Sequence, residues 1–69
     1  MTKKIFIEGM SCSHCVARVE KALDALDGVK SVNVDLDGKF AILDLDYDID
    51  NKKLTEIIDE VGYDVIDIK

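Results

Sequence analysis

The sequence predicts an α+β domain with the order β-α-β-β-α-β. Three observations carry that prediction. Four short stretches alternate apolar and polar residues, as strands with one covered face do. Two stretches between them repeat their apolar residues at helical spacing. And 69 residues, 48% of them hydrophobic, leave room for one core and no second, so residues 1–69 are expected to form one domain. A chain this short removes only about 60% of its unfolded surface from water, which favours two thin layers, helices over a single sheet.

The first strand is expected over Lys3 to Gly9, with Ile5 and Ile7 on one face and Phe6 on the other. A helix should begin at Ser13 or His14. Val16, Val19, Leu23 and Leu26 fall at i, i+3, i+7 and i+10, with Ala22 beside the stripe. Arg18, Glu20, Lys21 and Asp24 occupy its polar side, and Gly28 is placed to supply a left-handed residue after the last turn. "SVNVDLDGKFAILDLD", from Ser31 to Asp46, reads as a hairpin turning at Asp37-Gly38, with Val32, Val34 and Leu36 facing the same way as Ala41, Leu43 and Leu45. The second helix, from about Asn51 to Val61, carries Leu54, Ile57, Ile58 and Val61 on one face. Asp50 or Asn51 can cap its start and Gly62 ends it. "YDVIDIK" closes the chain as a strand. Right-handed crossovers then give a ferredoxin-like fold, a four-stranded antiparallel sheet with both helices on one face. Phe6, Phe40 and Ile42 have the opposite parity to the core set and fall on the open face, as ordinary exposed apolar residues or as a contact surface.

The formal charge of −6, from fifteen acids against nine basic residues, argues against a surface for a phosphate backbone. RNA-recognition motifs share the element order, but they present basic residues among their sheet aromatics, and this chain lacks that pattern. The N-terminal stretch has only three consecutive apolar residues before Glu8, too few for a signal peptide or a membrane span. A cytoplasmic protein without membrane insertion is expected, in a compartment where thiols stay reduced.

The chemistry lies in "GMSCSHC", Gly9 to Cys15, which holds the only two cysteines. In the cytosol such a pair reads as metal or redox chemistry rather than a structural bridge. Cys12 falls in the loop after the first strand and Cys15 in or near the first helical turn, where amide N–H groups and the helix dipole favour a thiolate. Zinc asks for four ligands, and the chain offers two thiols and one histidine. A soft ion of low coordination number, Cu(I) above all, is satisfied by two sulfurs. A thiol-disulfide oxidoreductase of the thioredoxin type is the rival from another class. It depends on a cis-proline facing the dithiol, and this chain has no proline.

With Gly9-Met10 ahead of the cysteines, a strand upstream and a helix downstream, "GMSCSHC" is the G-M-x-C-x-x-C signature. The chain resembles the heavy-metal-associated domain family over essentially all its length, and within it the small bacterial copper chaperones; "GV" after the first helix and "GY" after the second belong to the likeness. That resemblance implies a non-enzymatic carrier that holds Cu(I) between Cys12 and Cys15, with Ag(I) as a mimic. It implies delivery by ligand exchange to the N-terminal metal-binding domain of a copper-transporting P-type ATPase, with a copper-responsive repressor as a further recipient. A metal-binding regulatory domain of a copper ATPase shares the pattern and stays open as an alternative. Zinc- and cadmium-handling relatives often carry an acid beside the first cysteine; Ser11 is neutral, so Zn(II) is disfavoured. Mercury-carrying relatives are exported, and no export signal is present here.

Around the two sulfurs, Met10 is a core plug in this reading, with a thioether ligand as the alternative. His14 is directed towards solvent beside the site, with tuning of transfer or a third imidazole ligand as the alternative. Tyr63 is either an edge aromatic or, as the resemblance implies, a shield over the bound ion where eukaryotic members carry a neutralising lysine. Arg18 and Lys21 are solvated helix charges or part of a docking surface. The metal-free protein is expected to be a monomer, and exposed paired thiols allow a metal-bridged dimer.

Overall fold

The computed structural model describes all residues, Met1–Lys69. Its elements are β1 (Thr2–Glu8), α1 (Ser13–Asp24), β2 (Val29–Asp35), β3 (Phe40–Leu45), α2 (Asn51–Glu60) and β4 (Asp64–Ile68). The sheet order is β2-β3-β1-β4, every neighbouring pair antiparallel. β3 therefore sits between β1 and β2, which run parallel to each other with α1 as the crossover. The expected α+β, ferredoxin-like arrangement is the one observed.

The two-residue alternation sorts the sheet as expected. Ile5, Ile7, Ala41, Leu43 and Leu45 are buried, and Val19 and Leu23 of α1 with Leu54 and Ile58 of α2 cover them in one cluster. The opposite parity leaves Phe6 and Phe40 half-buried on the far face, directly paired across β1 and β3 in an edge-on contact with ring centroids 6.1 Å apart. Lys4 lays its ammonium 4.1 Å from the Phe40 centroid and 5.2 Å from that of Phe6, and Lys69 stands 5.6 Å from Phe6. The aromatic pair is thus roofed by this chain's own lysines, whose stems cover apolar surface while their charges stay wet.

Two turns differ from expectation. α1 ends at Asp24, not beyond Leu26. A tighter turn, with Leu26 N–H donating to Leu23 O and Val29 N–H to Leu26 O, keeps Leu26 against the core and so prolongs the apolar stripe past the helix. Gly28 has φ +95°, the left-handed residue expected there, and it also admits Tyr47: a Cβ would lie 2.6 Å from the ring's Cζ. The hairpin closes through four residues, Leu36 to Lys39, between the paired Asp35 and Phe40. The left-handed position is Lys39, φ 59°, and not Gly38, whose missing side chain makes way for the Phe40 ring. The Asp35 carboxylate accepts from Gly38 N–H, which fixes the turn. β1 also runs one residue earlier than expected, leaving Gly9 outside it.

Candidate metal centre

Sheet register decides which loops meet. Glu8, the last residue of β1, pairs with Asp64, the first of β4. The segment leaving β1 and the segment entering β4 are therefore neighbours, although more than fifty positions separate them in sequence. Gly9 turns the chain with φ +103°, and a Cβ on it would stand 3.3 Å from Tyr63 Cδ1. Glycine serves both needs, the left-handed backbone and the close approach of the ring. Met10 then drops into the core, 7% exposed, and pins the loop from below. Its place is the plug expected of it.

Tyr63 is held from its own side. Gly62 N–H donates to Asp59 O and Tyr63 N–H to Ile58 O, so Val61, Gly62 and Tyr63 complete a Schellman motif at the end of α2. The motif buries the tyrosine to 8% exposure, well beyond a half-buried edge aromatic, and sets its ring over the cysteine loop.

The cysteines themselves sit across the start of α1. Cys12 is the N-cap residue, extended at φ −158° and ψ 174°, and its carbonyl accepts from Cys15 N–H at 3.0 Å and Val16 N–H at 3.2 Å. Its sulfur makes no cap hydrogen bond to the helix. Cys15 lies in the first turn, half-buried, while Cys12 is exposed. Both thiols are free, their sulfurs 3.8 Å apart, and the Ser11 hydroxyl is 3.9 Å from Cys15 Sγ. The environment pulls the Cys15 pKa down from 9.0 to about 6. The Ser11 backbone N–H is the main cause, followed by the Tyr63 hydroxyl; burial opposes them, and the Ser11 hydroxyl and Cys12 N–H add to the lowering. Reciprocally, Cys15 raises the Tyr63 pKa, first through the hydrogen bond and then with desolvation, while Arg18 works against that rise as a nearby charge and donor.

His14 is exposed, and nowhere do three or more His, Cys, Asp or Glu side chains gather as a metal-binding group. The donor set at this end is two sulfurs. With a metal–sulfur bond of about 2.3 Å, sulfurs 3.8 Å apart subtend about 110° at a shared ion. Opening the pair to a linear arrangement needs a sulfur separation of about 4.6 Å on the same bond length. Rotation of the exposed Cys12 side chain supplies that shift without moving the core. The pair can therefore hold an ion bent, with a coordination position open to solvent, or straight.

The sequence pointed to Cys12 and Cys15 with Met10, Ser11, His14 and Tyr63 around them; the fold places Ser11 and Tyr63 beside the cysteine loop, Met10 beneath it and His14 in solvent. Arg18, read in the sequence as a solvated charge or part of a docking surface near the site, is exposed on α1 three residues after Cys15.

Comparison with known proteins agrees with this geometry. The profile of the heavy-metal-associated domain matches residues 4–64. The copper chaperone CopZ of Bacillus subtilis (strain 168) is 43% identical over 67 residues, spanning 91% of this chain and 93% of the chaperone. The structure of a CopZ metallochaperone superimposes with a TM-score of 0.88 at 34% identity, covering 96% of this chain and all of the other. A copper binding domain from HMA7, a P-type ATPase, superimposes with a TM-score of 0.84 at 25% identity, covering 100% of this chain and 99% of that one.

Proposed function

The chain belongs to the heavy-metal-associated domain family, and we propose that it is a copper chaperone, carrying Cu(I) between Cys12 and Cys15 and passing it on by exchange of thiolate ligands. One observation carries this reading above others: two free thiols 3.8 Å apart at a tip where no further ligand gathers. Two sulfurs leave Zn(II) short of its four ligands and satisfy a soft monovalent ion. Ag(I) should bind in the same way.

Transfer needs no redox change. An incoming thiolate adds to the open side of the ion, one cysteine sulfur leaves, and a second exchange completes the release. Each new bond forms as an old one weakens, so tight holding and rapid hand-over coexist. The exposed Cys12 is the sulfur that can swing, whereas Cys15 is held by Ser11 and Tyr63. The recipient best supported is the N-terminal metal-binding domain of a copper-transporting P-type ATPase, since a copper binding domain from a P-type ATPase shares this fold. A copper-responsive repressor is a second recipient of the same chemistry. A regulatory domain within an ATPase is the competing reading that this likeness favours; 43% identity to a free-standing chaperone outweighs 25% to the domain. The reducing cytosol is where such a dithiol remains ready for metal.

Anaerobic titration of the reduced protein against a competing Cu(I) chelator tests the proposal. One ion per chain is expected, with binding lost in both Cys12→Ser and Cys15→Ser. X-ray absorption of the loaded protein should show a sulfur shell; a shell of nitrogen and oxygen donors would overturn the assignment.

A further inference from the structure

We infer that a recess at the end of the sheet remote from the sulfurs docks an arginine side chain presented by a partner protein. The recess encloses about 320 Å³ between the turn that follows α1 and the loop that joins β3 to α2. Ligand sites begin at about 300 Å³, so this one matches a single long side chain rather than a cofactor.

Leu26 and Ile49 give the recess apolar surface, and Tyr47 stands beside them with half of its surface in solvent. The tyrosine is held in place. Gly28 has no Cβ to obstruct the ring, and the hydroxyl donates to Asp27 Oδ2 at 3.2 Å. Asp27, Asp48 and Asp50 rim the recess against one cation, Lys53, which forms no ion pair with any of them. Each carboxylate has one oxygen engaged: Asp27 by Tyr47, Asp48 by Lys3, Asp50 by the Lys52 N–H. The second oxygen of each has no partner within the protein. The three acids do not gather closely enough to hold a metal ion. What fits is an extended cation whose stem lies on apolar surface. Arginine fits better than lysine, because a guanidinium lies flat on an aromatic ring while its fork of donors reaches carboxylate oxygens. Tyrosine and arginine are also the residues on which protein interfaces most often anchor. Lys3, through its pair with Asp48, marks this as the end where β1 starts, so a partner seated here leaves Cys12 and Cys15 uncovered.

Two-dimensional NMR of the reduced, metal-free protein at low ionic strength, titrated with the blocked peptide acetyl-glycyl-arginyl-glycinamide, tests this. The same peptide with citrulline, neutral but of nearly the same shape, is the control. The arginine peptide should shift the Leu26, Tyr47 and Ile49 resonances saturably in the millimolar range and leave those of Cys12 and Cys15 in place. The citrulline peptide should move none of them. Asp27→Asn keeps an acceptor for Tyr47 but removes the charge, and should weaken binding about two- to fivefold; about 1 M salt should erase that difference. Tyr47→Leu keeps an apolar wall without the ring, and should weaken binding by about the same factor. Both variants should bind Cu(I) as the wild type does. Equal shifts from the citrulline peptide, unchanged binding in both variants, or shifts confined to the cysteine loop would overturn the docking site. Loss of Cu(I) affinity in both variants would also count against it, by making the recess part of the metal end. Shifts of the same resonances on raising protein concentration alone would replace the partner with a second copy docking through Arg18, the only arginine of this chain.

Discussion

At the residue scale, the site depends on a few atoms that leave little room for substitution. Gly9 illustrates this. With φ +103° and Tyr63 Cδ1 3.3 Å from where a Cβ would stand, Gly9→Ala meets backbone strain and a ring that must give by a few tenths of an ångström. A loss of about 1–2 kcal/mol is expected from the left-handed backbone alone, measured by denaturant unfolding. Displaced Tyr63 ring resonances should accompany it. Cys15 gives a prediction with a definite sign. Its pKa falls from 9.0 to about 6 on folding, so between those values the unfolded chain binds more protons than the folded one. The stabilisation is therefore complete above about pH 9, declines as pH falls, and is gone below about pH 6. Melting midpoints of the reduced, metal-free protein compared with Cys15→Ser should diverge across that window, and iodoacetamide should label Cys15 with an inflection near pH 6. The cysteine pair was legible in the sequence because motif and helix start coincide. The lowered pKa was only half legible: the helix terminus was foreseen, but the main donor is the Ser11 amide, whose aim depends on the turn that Gly9 makes.

At the scale of elements, the two helices begin in opposite ways. α2 has an ordinary cap: Asp50 accepts from Lys52 N–H at 3.1 Å. α1 begins at Cys12, which has cap backbone geometry but no side-chain acceptor to match. The first amides of α1 are thus left for whatever charge the sulfurs carry, and the helix has a free thiol where a cap would stand. Cys12→Ser should then do two things at once. It should raise the stability of the metal-free protein by about 0.5–1 kcal/mol, because serine caps where cysteine does not, and it should abolish Cu(I) binding. A less stable Cys12→Ser protein would mean that the sulfur already stabilises the helix start. Element order, strand parity and helix faces were legible in the periodicity of the chain. The end of α1 was not, because Leu26 extends the apolar stripe through a turn that periodicity cannot distinguish from helix. The Asp37-Gly38 pair misled for a similar reason, since Gly38 is required by the Phe40 ring rather than by a left-handed turn position.

At the scale of the whole molecule, the chain separates stability from delivery by placing them at opposite ends of the sheet. The end of β1 that precedes Gly9 carries the sulfurs. The end at which β1 starts is fastened by Lys3, whose ammonium donates to Ile49 O and Asn51 Oδ1, each at 2.6 Å, and pairs with Asp48 at 3.1 Å. That one side chain ties β1 to the loop that launches α2. Lys3→Met should therefore lower stability by about 1–3 kcal/mol, the cost of leaving such partners unmet. Its Cu(I) affinity should stay within about twofold of wild type, since distant sites without shared partners behave additively. Loading works in the other direction. Free Cu(I) at a hundred times its dissociation constant adds about 2.7 kcal/mol to the folded state. In a domain of this size that raises the melting midpoint by about 10–20 °C. The same increment should appear in Lys3→Met, from a lower starting point. An increment that shrinks in the variant would show that the two ends communicate through α2, whose first turn Lys3 holds and whose last turn places Tyr63 over the sulfurs. In that case the scaffold would be part of the hand-over rather than its support.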